Sequence, residues 1–321
     1  MSSNAAQKQG THKQGTQKQG TQKQGGAGSG DLPAVGMVLT AAASVQVGAA
    51  VANHLFTTIG PEGATTLRLG IAALVLLVVV RPRVRTWDRR QWLLSLSFGV
   101  SLAAMNSTFY AAISRIPLGV AVTCEFLGPL VLSAVLTRRA RDLVWVALAL
   151  AGVVTFGLGG DGSGGRLEPL GVALALVAGA FWATYVLLSA RVGAAVPGQS
   201  GLAVASVVAG ILVLPAGVAG AGLELLRPGV LALAAVVALA SSVIPYSLEL
   251  VALRRLPART FGVLLSLEPA IAALAGYLVL SQALPWTSVV AIAVVVAASA
   301  GSTLSARRER ELATRQPPPG D

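Results

Sequence analysis

Charge is scarce in this 321-residue chain: Asp, Glu, Lys and Arg make up 12% of it, against roughly 25% in soluble domains. With 54% of residues hydrophobic, a water-soluble globule is excluded, because too little polar surface is left to cover such a core. Cysteine occurs once, at Cys124, which rules out an internal disulfide and reads as a small packing residue within an apolar run. Histidine occurs twice, and His12 lies in a polar tail. No cluster spaced for a metal can be assembled from so few ligands, and a membrane hydrolase is equally hard to build. The phosphate-cradling pattern Gly-x-x-x-x-Gly-Lys-Ser/Thr is missing, so bound ATP is not the expected energy source. The expectation is a protein without cofactor or metal that is not an enzyme.

Lysine is confined to Lys8, Lys13, Lys18 and Lys23, in a tail that repeats a five-residue unit such as Thr16-Gln17-Lys18-Gln19-Gly20. Residues 1–30 have almost nothing apolar to bury and read as a disordered, solvated cytoplasmic tail. They lack the apolar core and cleavage site of a secretory signal. Although the net charge is +11, no folded soluble region remains to hold nucleic acid, which is excluded as a partner.

What the chain has in abundance is apolar runs. A bilayer core about 30 Å thick takes about 20 helical residues per crossing. On that measure ten helices are predicted, at 34–55, 63–81, 91–114, 118–137, 142–160, 168–190, 199–219, 228–252, 258–281 and 285–305. If the N-terminal tail is cytoplasmic, 20 of the arginines and lysines fall on that side. Only Arg115, Arg166 and Arg227 fall on the other. Basic loops stay in the cytoplasm, so both termini are expected inside a cytoplasmic membrane.

One stretch occurs twice. At an offset of 140 positions, Ala112, Arg115, Pro117, Leu127 and Pro129 meet Ala252, Arg255, Pro257, Leu267 and Pro269 without a gap. Both copies run from Arg-x-Pro into an apolar run holding a proline and a nearby glutamate, Glu125 or Glu268. Five helices is an odd number, so the second copy must enter the membrane the opposite way up. The fold class predicted is an all-α membrane protein, ten transmembrane helices in a five-plus-five inverted repeat. The repeats are placed at 31–161 and 162–306, with a cytoplasmic tail at 307–321. Such symmetry puts a binding site between the halves and opens it to either side by rocking, which suits transport.

Polar groups within a span are costly, which makes each a candidate for function. Glu125 and Glu268 lie mid-helix beside prolines, where freed carbonyls can take a ligand's ammonium group. Burial penalises a carboxylate's charged form, so protons become candidate partners beside the substrate. Arg68 faces inward in helix two, where its planar fork could take a carboxylate, or it snorkels to the interface. Glu249, just after Tyr246, lines the path or forms an ion pair with Arg254 and Arg255. Gln46 pairs on one helical face with Asn53, Asn106 with Tyr110, and Trp182 with Tyr185. These pairs line a cavity or tie helices together.

Several runs then carry a resemblance. Ala43-Ser44-Val45-Gln46, Gly99-Val100-Ser101-Leu102, Pro117-Leu118-Gly119-Val120-Ala121-Val122 and Glu125-Phe126-Leu127-Gly128-Pro129 resemble the bacterial threonine and homoserine exporters. So do Pro245-Tyr246-Ser247-Leu248-Glu249, Leu256-Pro257-Ala258-Arg259-Thr260-Phe261-Gly262 and Ser266-Leu267-Glu268-Pro269-Ala270. These exporters form part of the EamA branch of the drug/metabolite transporter superfamily. The resemblance implies ten helices in the bacterial inner membrane and efflux of small amino acids, in exchange for protons. Thr123-Cys124 departs from the more apolar pattern of that family before the glutamate. A drug, nucleobase or aromatic amino-acid exporter of the same superfamily is the alternative, and a membrane receptor or scaffold a second one.

Overall fold

The computed structural model describes residues 32–137, 142–159, 167–245, 248, 252, 255–256 and 258–315. Its helices are α1 (Leu32–Asn53), α2 (Phe56–Val80), α3 (Arg89–Ile113), α4 (Leu118–Thr137), α5 (Asp142–Gly159), α6 (Pro169–Ala195) and α7 (Ser200–Ala221). They continue with α8 (Pro228–Ala238), α9 (Ala258–Leu265), α10 (Glu268–Leu280) and α11 (Trp286–Arg315). No strand occurs among the described residues. Among the described residues, eight segments are long and apolar enough to cross a membrane, and Leu143–Thr155 and Pro228–Ser242 are shorter apolar helices. Val78, Val79, Val135, Leu136 and Leu278 point outward and stay exposed. Surfaces this apolar need lipid around them.

The direction of the two halves follows from contacts between equivalent helices. Along α2 and α7, Gly63 lies against Ala221, the Thr66 hydroxyl donates to the Val213 carbonyl at 3.0 Å, and Gly70 faces Gly210. Numbers rise on one helix as they fall on the other, so the pair is antiparallel. Gly119 against Ala273 and Leu118 against Gly276 make α4 and α10 antiparallel too. Gly152 beside Ala291 and Val295, with Trp145 over Gly301, does the same for α5 and α11. Gly70 and Gly210 are themselves 140 residues apart. A Cβ on Gly210 would stand 3.6 Å from the Gly70 Cα, so a position and its own copy touch, as they must where a two-fold axis passes. The ends of the repeats also match. Arg115 N–H and Ile116 N–H donate to the Ala112 carbonyl at 2.9 and 3.0 Å, and Arg255 and Leu256 donate to the Ala252 carbonyl at 2.9 and 2.7 Å. The protein is an all-α membrane protein of ten transmembrane helices in a five-plus-five inverted repeat.

Four helix boundaries differ from the sequence-based expectation, each for a physical reason. The second helix is preceded by a short helical turn from Phe56, and Gly60, at φ 66°, kinks the chain between that turn and the main helix, which begins at Pro61 rather than 63. The eighth gives way after Ala238 to a π-helical turn, Leu239–Val243, two residues ahead of Pro245. The ninth is broken: α9 ends at Leu265 and α10 begins at Glu268, because Pro269 has no N–H for the Leu265 carbonyl. The last helix continues past 305 to Arg315, where Ala, Glu and Arg favour helix although they are too polar to span.

Candidate functional site

The two halves enclose a cavity of about 200 Å³. Each half contributes to its wall: Arg68 from α2, Asn106 from α3 and Glu125 from α4 face Trp182 and Tyr185 from α6, Ser206 from α7 and Glu268 from α10. Gln46 of α1 and the serines of the π-helical turn, Ser241 and Ser242, complete it. Leu69, Ala72, Leu102, Met105 and Phe109 supply an apolar floor, so a few polar groups stand in an otherwise greasy chamber.

Arg68 points inward. Its guanidinium carbon lies 5.2 Å from the centre of the Tyr110 ring, and its buried Nε has no hydrogen-bond partner among the described residues. The cation rests on an aromatic face, and its Nε remains a free donor among the described residues. Glu125 feels two charges, those of Glu268 and of Arg68. Two carboxyl groups and one guanidinium around a small space are complementary in charge to a zwitterion, with an ammonium matching the acids and a carboxylate the arginine.

The aromatic wall is held from behind. Phe126 of α4 packs edge-on to Trp182 at 5.2 Å, and Phe98 of α3 packs on Tyr185 at 4.9 Å. Ser101 Oγ donates to the Phe181 carbonyl at 2.9 Å, fixing the height of α6 against α3. Asn106 Nδ2 donates to the Leu102 carbonyl of its own helix at 2.8 Å. Its amide oxygen is therefore oriented, not free to swing.

Of the residues singled out by sequence, Gln46, Arg68, Asn106, Glu125, Trp182, Tyr185 and Glu268 come together in this one cavity. Tyr110 does not line it. It is fully buried beneath Arg68 and packs on Phe56 at 5.6 Å, so it supports the arginine from below. Asn53 is also elsewhere, its amide donating to the Ile113 carbonyl at 2.9 Å as a helix tie. Tyr246 and Glu249 lie outside the described residues. Sequence reasoning passed over Ser206, Ser241 and Ser242, although a pair of adjacent serines in an apolar run is itself a signal.

A family model described as the EamA-like transporter family matches residues 169–304. The threonine/homoserine exporter RhtA of Escherichia coli (strain K12) is 43% identical over 282 residues, 88% of this chain and 94% of that protein. RhtA of Salmonella typhimurium (strain LT2) is 42% identical over 277 residues, 86% of this chain and 93% of that one. The chain belongs to the EamA-like transporter family. A solved crystal structure shares its fold, with a TM-score of 0.56 at 21% identity, over 86% of this chain and 97% of that one. The five-plus-five bundle and its shared chamber are therefore those of an EamA-like transporter. The family model covers the second half, from the start of α6 into α11.

Proposed function

We propose that this protein exports threonine, homoserine or similar small amino acids from the cytoplasm of a bacterium, across the inner membrane and in exchange for protons. The observation that carries the reading is one chamber holding Arg68, Glu125 and Glu268 together in a chain more than 40% identical to threonine/homoserine exporters. The chamber's size adds support. Sites for drug-sized ligands run to roughly 300–1,000 Å³, and about 200 Å³ favours a small amino acid over a drug or an aromatic one. In this mechanism Arg68 takes the substrate carboxylate and one of the glutamates takes the ammonium. On release, that glutamate picks up a proton from the outer side and carries it inward, so each turn of the cycle exchanges substrate for proton. The basic residues on the expected inner side favour both termini in the cytoplasm.

The test is protection of cells against toxic homoserine. Cells expressing the unmodified protein are expected to grow, and cells with Glu125→Gln or Glu268→Gln at equal membrane levels are expected to be inhibited. Full protection by both variants would remove the glutamates from the mechanism.

A further inference from the structure

Ser101 and Ser241 occupy the same position in the two repeats, 140 residues apart, yet they are spent differently. In the first half, the Ser101 hydroxyl of α3 donates to the Phe181 carbonyl of α6. In the second half the equivalent helices are α8 and α1, and the bond between them runs the other way: Ser44 Oγ of α1 donates to the Ala240 carbonyl at 2.7 Å.

Proline explains the reversal. In the π-helical turn the Ile244 N–H donates to the Leu239 carbonyl, five residues back. The Ala240 carbonyl therefore loses its usual partner, and the residue five beyond it, Pro245, has no N–H to offer. Ser44 fills that vacancy from the neighbouring helix. Ser241, whose copy makes the bond in the first half, is left over. It is 7% exposed, and its hydroxyl rests against Gly48 with no hydrogen-bond partner among the described residues. Buried serines are rarely left so, because an unmet hydroxyl is costly. Ser241 also lines the chamber that holds Arg68 and the two glutamates.

We propose that Ser241 is the residue that recognises the substrate's side-chain hydroxyl. This rests on the export reading above and deepens it. With carboxylate and ammonium held by Arg68 and the glutamates, the neutral hydroxyl is the one polar group of the substrate still to be matched. Ser241 borders both Gly48 and the chamber, so a turn of its side chain to another staggered position is the movement by which its hydroxyl would meet the substrate. A rotor also suits the substrates, since threonine carries its hydroxyl on the β-carbon and homoserine on the γ-carbon. A fixed backbone donor would fit one of them; a serine hydroxyl reaches both and either donates or accepts.

The experiment is competition in everted membrane vesicles containing the full-length protein. Uptake of labelled threonine is opposed by unlabelled threonine or by valine, which has the same shape with a methyl in place of the hydroxyl. The unmodified protein is expected to prefer threonine, and Ser241→Ala to lose roughly tenfold of that preference. Ser101→Ala, outside the chamber, is expected to keep the preference and melt at a lower temperature. Ser241→Ala, which removes only an unmet hydroxyl, is expected to melt no lower than the unmodified protein. An unchanged threonine-to-valine ratio in Ser241→Ala, or an equal loss of both ligands, overturns this proposal alone. No threonine uptake by the unmodified protein overturns the export reading and this proposal with it.

Discussion

The two glutamate-bearing helices are built to one pattern and come out differently. In α4, Pro129 stands four residues after Glu125, yet the helix runs unbroken from Leu118 to Thr137. In the second copy, where Pro269 directly follows Glu268, the chain breaks between α9 and α10. Both prolines free a carbonyl, and what matters is the neighbour that receives it. The Glu125 carbonyl lies against Gly179 of α6, and Gly128 meets the Gly179 carbonyl in turn. Two glycines let the backbones touch, and a Cα–H can then face the freed oxygen. On the other side Leu264 and Leu265 cluster with Val35, Met37 and Val38 of α1, and a Cβ added to Gly36 there would meet nothing within 4 Å. Glu125 thus lies within a continuous helix, whereas Glu268 sits in the first turn of a new one, beside a two-residue interruption. A division of labour is expected from this contrast, with α4 as the scaffold and the α9–α10 interruption as the joint.

The strongest way to break this contrast is to close the glycine crossing. Gly179→Ala puts a Cβ on the Glu125 carbonyl, a backbone atom that cannot step aside. The expected loss is about 1–3 kcal/mol, the usual cost of overpacking, or failure to accumulate in the membrane. Thermal melting in detergent reads it, and an unchanged melting temperature would mean that the crossing is looser than described. Healing the joint comes next. Pro269→Ala restores an N–H for the Leu265 carbonyl, so stability should hold or rise by about 1 kcal/mol while transport slows. Pro129→Ala, within a helix already continuous, should leave transport rates close to those of the unmodified protein. Equal effects of the two changes on transport would erase the difference between scaffold and joint.

A smaller effect is expected at the two-fold axis. Thr66→Val removes the hydroxyl that donates to Val213 across α2 and α7 and should cost about 1 kcal/mol, with no change in substrate preference. Melting and the threonine-to-valine competition, measured together, separate this structural bond from the one proposed for Ser241.

Much of this architecture can be read from residues alone, because lipid leaves so few options. A span must be helical and apolar, so runs such as those around Val78 and Leu212 announce themselves, and the recurrence of Arg-x-Pro at Arg115 and Arg255 exposes the repeat. Arg68, Glu125 and Glu268 stand out for the same reason: charge has nowhere else to go in a bilayer. Three features were not legible. Pro129 and Pro269 look alike in sequence, and the neighbours of each stretch lie on a helix distant along the chain, Gly179 of α6 in one case and Val35 and Val38 of α1 in the other. The π-helical turn changes the hydrogen-bond register and not the composition, so Ser241 looks like any serine in an apolar run until Ser44 is seen on Ala240. Tyr110 shares a face with Asn106 on α3, but its long ring reaches past the chamber to lie beneath Arg68. Helical spacing places a Cα; it does not say how far the side chain extends.

If substrate and proton share an acidic chamber between inverted halves, gradient-driven flux must depend on its two glutamates. Labelled threonine uptake should be measured in everted vesicles with and without an acidic interior, for the unmodified protein and for the double variant Glu125→Gln, Glu268→Gln at matched expression. The account predicts uptake that rises with the gradient in the unmodified protein and is absent in the double variant. Uptake by the double variant that follows the gradient just as closely would contradict it.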